Sequence, residues 1–160
     1  MQHFTAAQYK LHNSVFANRG DGTFEDVSNT VGPDFLEPRA HRGAAFADFN
    51  RDGKIDVVAT ALGESAELWE NVTATDNTWL ILKLTGTKSN RDGIGAQISI
   101  GDQWNHMTTA VGYASSSQFG VHFGTGHLKE VPRIEICWPS GVRQVLTHVP
   151  ANQLLQVREP

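Results

Sequence analysis

Asp48-Phe49-Asn50-Arg51-Asp52-Gly53-Lys54-Ile55-Asp56 sets oxygen-bearing side chains at alternate positions. Carboxylates or amides at 48, 50, 52 and 56 can all turn onto one cation if the backbone curls around it. Gly53 permits the bend, because without a Cβ it takes positive φ at little cost. A hard ion of calcium's size takes six to eight oxygens at about 2.3–2.6 Å, partly from carbonyls and water. The metal-ligating set expected here is Asp48, Asn50, Asp52, Lys54 and Asp56, with calcium as the cofactor. The first half fits the calcium-loop pattern D-x-[DN]-x-[DN]-G. The second half departs from the helix-loop-helix version. Ala59 stands where that version has its last Glu, and the final acid arrives early, at Asp56.

The flanks set the context. Gly43-Ala44-Ala45-Phe46-Ala47 leads in and Ile55-Asp56-Val57-Val58-Ala59-Thr60 leads out. Both are short, apolar and rich in β-formers, as buried strands are. The loop is expected to join strand to strand.

The chain has 160 residues, enough for one domain or two small ones with a real core. Hydrophobic content of 39%, 15 glycines and 19% charged residues fit a turn-rich β-protein. A net charge of −4 leaves no basic stripe for nucleic acid. No apolar stretch approaches the roughly 20 residues of a membrane span, and Met1-Gln2-His3-Phe4 lacks the regions of a signal peptide. The single cysteine, Cys137, excludes an internal disulfide and reads as a packed or half-exposed thiol on an alternating strand.

Residues 1–13 carry little pattern and read as a lead-in. Ser14–Asn18 and Thr23–Val27 flank Arg19-Gly20-Asp21-Gly22, a hairpin on an Asp-Gly turn. The segment Thr30–Arg42, with Pro33 and Pro38, is a loop. Leu68-Trp69-Glu70-Asn71 echoes Val15-Phe16-Ala17-Asn18 at a spacing of 53 residues, as one propeller blade echoes another. Beyond Asp76-Asn77 the composition changes. Trp79–Leu84, Ala96–Ile100, Trp104–Ala110, Gly120–Phe123, Arg133–Trp138, Arg143–Leu146 and Leu154–Arg158 read as short strands, with turns at Gly101-Asp102, Pro139-Ser140-Gly141 and Val149-Pro150-Ala151. Such spacing without helical periodicity means a sandwich or barrel.

Asn18–Phe24 and Gly43–Val58 together resemble FG-GAP/VCBS repeats, the blades of integrin-α-type propellers. The stretch from about Asn77 to Glu159 resembles the ASPIC/UnbV domain through Gly86-Thr87-Lys88-Ser89-Asn90-Arg91-Asp92-Gly93-Ile94-Gly95-Ala96, His122-Phe123-Gly124-Thr125-Gly126 and Trp138-Pro139-Ser140-Gly141. The resemblance implies calcium in the inter-strand loop and an extracellular, cell-surface or periplasmic setting. A closed propeller needs at least four blades, and this chain holds one and part of another. The expected organisation is an all-β chain. Residues 14–76 would form a propeller-blade-like antiparallel sheet, and residues 77–160 a small β-sandwich or barrel fused to it.

Each sharp reading has a plainer rival. Against a solvated polar turn, the ligand spacing, Gly53 and the β-flanks agree on a structural calcium site. Asn90-Arg91-Asp92-Gly93 repeats the letters of Asn50–Gly53, but Lys88 stands where Asp48 would be and Ala96 where Asp56 would be. That loop is therefore no second ion site; Lys88, Asn90 and Arg91 are instead binding candidates at an exposed tip. Arg19-Gly20-Asp21 spells the integrin-binding tripeptide but serves first as the turn. His122 and His127 lack a zinc motif, and Ser115–Ser117 lacks a nucleophile elbow, so no catalytic residue is assigned. Trp69, Trp79, Trp104, Tyr113 and Trp138 are core residues or, in part, a sugar-stacking platform. Asn71-Val72-Thr73 is a glycosylation sequon.

The expected function is a non-catalytic, calcium-binding, adhesion-like interaction module with a protein or glycan ligand. Its open strand edges would favour self-association or upstream blades. The rival is a carbohydrate-binding or accessory domain of an enzyme acting on extracellular polysaccharide.

Overall fold

The computed structural model describes residues 9–117 and 120–160. They form an all-β fold whose strands are β1 (Phe16–Asn18), β2 (Phe24–Asp26), β3 (His41–Ala47), β4 (Asp56–Ala61), β5 (Glu67–Trp69) and β6 (Thr78–Thr85), followed by β7 (Gln97–Ile100), β8 (Gln103–His106), β9 (Val121–Gly126), β10 (Glu130–Cys137), β11 (Arg143–Pro150) and β12 (Gln153–Arg158). The segment read as a loop, Thr30–Arg42, contains the short 3-10 turn Pro33–Leu36, and a second, Ser28–Thr30, leads into it. Most of the sequence lead-in lies outside the described residues. No described helix is long and apolar enough to cross a membrane.

The chain divides into two compact units. One runs to Gly43 and includes Ala59–Glu67; the other comprises Ala44–Val58 and Leu68–Pro160. Strands β3, β4 and β5 form a three-stranded sheet in that order.

In the first unit β1 and β2 pair antiparallel, Ala17 facing Glu25. The Asp-Gly turn between them forms as its letters predict. Asp21 accepts the N–H and hydroxyl of Thr23, and Gly20 and Gly22 take φ of 80° and 87°. Glu67 accepts from Arg39 at 2.9 Å and His41 at 2.7 Å.

The second unit holds the main core. Its sheets run β11-β10-β7-β8 and β12-β6-β9. Period-2 alternation turns Ile98 and Ile100, Ile134 and Ile136, and Val121 and Phe123 into one shared interior with Leu80, Leu82, Leu84 and Trp138. This is a sandwich. Central strand β6 is buried at Leu80, Ile81 and Leu82 in succession, which explains its unbroken apolar run. Pairing is antiparallel except between β6 and β12, which are parallel.

Several elements end elsewhere than expected; the strand read as Gly120–Phe123, for example, runs on to Gly126. The strand read as Trp104–Ala110 stops at His106, and Ala110 forms an isolated bridge with Ser116. β11 continues through Pro150, opposite Glu130, and Asn152 turns with φ of 58°. Because β11 is an edge strand, the missing proline N–H interrupts no ladder.

Candidate metal centre

The loop from Asp48 to Asp56 joins β3 to β4 and lies in the second unit. Its oxygens are gathered by its own backbone. The Asp52 N–H donates to Asp48 Oδ1 and to Asn50 Oδ1, each at 3.0 Å, so both oxygens crowd one nitrogen. The Gly53 N–H reaches Asp48 Oδ2 at 2.9 Å and the Lys54 N–H reaches Asp52 Oδ1 at 2.9 Å. Arg51 and Gly53 take φ of 64° and 89°, the left-handed turns that curl the chain. Asp56 is buried. It accepts the Phe49 N–H at 3.0 Å and the Asn71 N–H at 2.8 Å, tying the loop's start to the segment after β5.

The local charge is mixed. Lys54 Nζ lies 3.2 Å from Asp52 Oδ2. The Lys54 N–H, then its ammonium and the Asn50 amide, hold the Asp52 carboxyl below its ordinary value against the opposing pull of desolvation. Asn50 Nδ2 also donates to Glu70 Oε1 at 3.0 Å, which brings a further acid to the rim. Among the described residues no three His, Cys, Asp or Glu side chains are grouped to hold a metal ion. An ion here therefore needs the Asn50 amide and a backbone oxygen as well as the carboxylates. The donor set of Asp48, Asn50, Asp52 and Asp56 is all hard oxygen and fits calcium chemistry. Lys54 can contribute only its carbonyl.

Two side chains from the sandwich grip this loop. A Cβ placed on Gly53 would stand 1.8 Å from Trp79 Nε1, so the indole lies directly against the glycine. His122 Nε2 shares a hydrogen bond of 2.8 Å with the Gly53 carbonyl. His122, expected as a packing residue, thus also makes a specific polar contact. Glu70, Trp79 and His122 were missed by sequence reasoning because each reaches the loop from another strand region.

Lys88, Asn90 and Arg91 are all exposed. Asn90, however, spends both ends of its amide on Ile94, at 2.7 and 2.8 Å, and Arg91 pairs with Asp92. The same loop presents backbone donors inward. Glu159 Oε2 accepts the N–H groups of Thr87, Lys88 and Ser89 at 2.7, 2.8 and 2.7 Å, and Oε1 accepts the hydroxyls of Ser89 and Ser140. Burial would raise the Glu159 pKa, but the Ser140 hydroxyl and those three amides outweigh it and hold the carboxyl far below the glutamate range. The loop whose letters copy Asn50–Gly53 thus receives the chain's own Glu159 carboxylate.

The remaining candidates are also placed. Arg19 pairs with Glu25 at 2.8 Å, so the tripeptide is engaged within its own hairpin. Cys137 is half-buried. Trp138 is core, while Trp104 and Tyr113 are exposed.

An oxygen-lined β3–β4 loop beside a two-sheet sandwich defines an all-β, two-part class of chain. Comparison gives that class its families: the FG-GAP-like repeat model matches residues 4–59, and the ASPIC and UnbV model matches residues 86–160. The chain thus carries an FG-GAP-like repeat followed by an ASPIC/UnbV domain. It is similar to Cartilage acidic protein 1 of Homo sapiens, 57% identical over 47 residues, and of Mus musculus, 53% identical over 47. The Xenopus tropicalis protein of that name is 52% identical over 46 residues. Each match covers 29% of this chain and only 7% of the relative's length.

Proposed function

We propose that the protein is a non-catalytic, extracellular interaction module whose β3–β4 loop is clamped by calcium. Asp48, Asn50, Asp52, the Lys54 carbonyl and Asp56 would hold the ion. When bound, it would draw the Asp48, Asp52 and Asp56 carboxylates closer and supply the positive charge that offsets their mutual repulsion. The observation that carries this reading is the convergence of Asp48 and Asn50 oxygens on one backbone N–H, with Asp56 buried at the end of the same loop. Division near residue 76 into a blade-like part and a sandwich belongs to the same proposal. So does pairing of open strand edges with further blades or a second copy. The FG-GAP-like repeat and the resemblance to the cartilage proteins support the extracellular setting.

A calcium titration of thermal stability tests the clamp. Tm is expected to climb with the logarithm of free calcium and to fall back on chelation, with about 2.7 kcal/mol gained at one hundred times Kd. Asp52→Ala should remove most of that gain, whereas Lys54→Ala should keep it because only the backbone oxygen is required. A Tm indifferent to calcium overturns the proposal.

A further inference from the structure

We infer that the solvent face of the β11-β10-β7-β8 sheet binds an acidic saccharide, a pyranose unit bearing carboxylate or sulfate. This names the ligand of the module proposed above and rests on that reading, but its residues are separate from the ion loop.

Two rows cross this face in register. Val145, Glu135, Ser99 and Trp104 stand opposite one another strand by strand, and Arg143, Cys137, Gln97 and His106 form the adjacent row. Directly paired residues share a face with Cβ atoms about 4.5–5.5 Å apart. All of these but His106 line a depression of about 380 Å³, within the range of roughly 300–1,000 Å³ that holds small ligands. One solvated face is ordinary for an antiparallel sheet. What is not ordinary is its equipment.

Trp104 is 60% exposed. The His106 ring lies 5.6 Å from it, tilted by 30°, and sets a second ring beside the indole. Indole offers a sugar ring an apolar plane with a polar N–H at its edge. Among the described residues the Arg143 guanidinium makes no ion pair, and the Gln97 amide and Ser99 hydroxyl make no side-chain hydrogen bond, although all three line the depression. Arg133 is partly spent on Glu135 at 2.8 Å. Two arginines against one glutamate make this face locally positive on a chain of net charge −4. A guanidinium fork matches a carboxylate or sulfate bidentately, while amide and hydroxyl suit ring hydroxyls. Stacking surface, free polar groups and unpaired positive charge together select an acidic sugar over a neutral one.

Binding of polygalacturonate, heparin, cellohexaose and poly-glutamate to the full chain by calorimetry, with and without chelator, tests this. Saturable binding of polygalacturonate or heparin at least tenfold tighter than cellohexaose is expected, and the pair distinguishes carboxylate from sulfate. Trp104→Ala should weaken it tenfold or more with Tm unchanged, and Arg143→Gln should erase the preference for acid. No binding of either acidic glycan, equal binding of cellohexaose or poly-glutamate, or full binding by Trp104→Ala overturns the inference. So does loss on chelation in a protein that stays folded, which would place the ligand at the ion loop. Glycan binding that persists while Tm ignores calcium supports this site and defeats only the calcium clamp.

Discussion

At Gly53 two independent demands meet at one residue. Its φ of 89° is left-handed, and any Cβ would collide with the Trp79 indole. Gly53→Ala is therefore expected to cost about 2 kcal/mol or more, read as a lower urea midpoint with Trp fluorescence as the probe. An unchanged midpoint would mean that the loop does not rest on Trp79. The turn glycine and the alternate oxygens were legible because a curled loop is a local object, written in nine consecutive residues. The grip of Trp79 and His122 was not, because it depends on where β6 and β9 pass in space. The lysine at position 54 illustrates the boundary. Its place in the loop was readable, but its ammonium resting on Asp52 was not.

Among the elements, the Thr87–Ser89 turn and the end of β12 are joined through a single carboxylate. A glutamate whose folded pKa is depressed adds stability above its ordinary value near 4.5, and that contribution is lost as pH falls toward the folded value. Glu159→Gln places amide hydrogens against donors. A Tm lower by about 5 °C or more at neutral pH is expected, together with a shallower loss of stability between about pH 5 and pH 3. Parallel acid-unfolding curves for the two proteins would refute the role. The strands themselves were largely readable from alternation and turn residues. Their ends were less so, since Pro150 stops a central strand but not an edge one, and sequence does not say which strand is the edge. The partner of the Gly86–Ala96 signature was hidden for the same reason: nothing in its letters points to Glu159.

For the molecule as a whole, the order of strands within the sheets was the least legible feature. Hairpins such as β7–β8 follow from short turns, but the placement of β6 between β9 and β12 does not. Such long-range pairing predicts refolding in milliseconds to seconds, followed in stopped flow by fluorescence as Trp138 enters the core. A microsecond phase carrying the full amplitude would contradict it. The parallel β6–β12 pairing, Gln153 with Leu80 through Arg158 with Thr85, also bears on how the protein is made. On the ribosome β6 emerges well before its partner, so Leu80, Ile81 and Leu82 must wait, uncovered along one edge, while some seventy residues are added. A nascent chain at that stage offers a sticky strand to any neighbour. Chaperone cover until translation reaches β12 would remove that hazard.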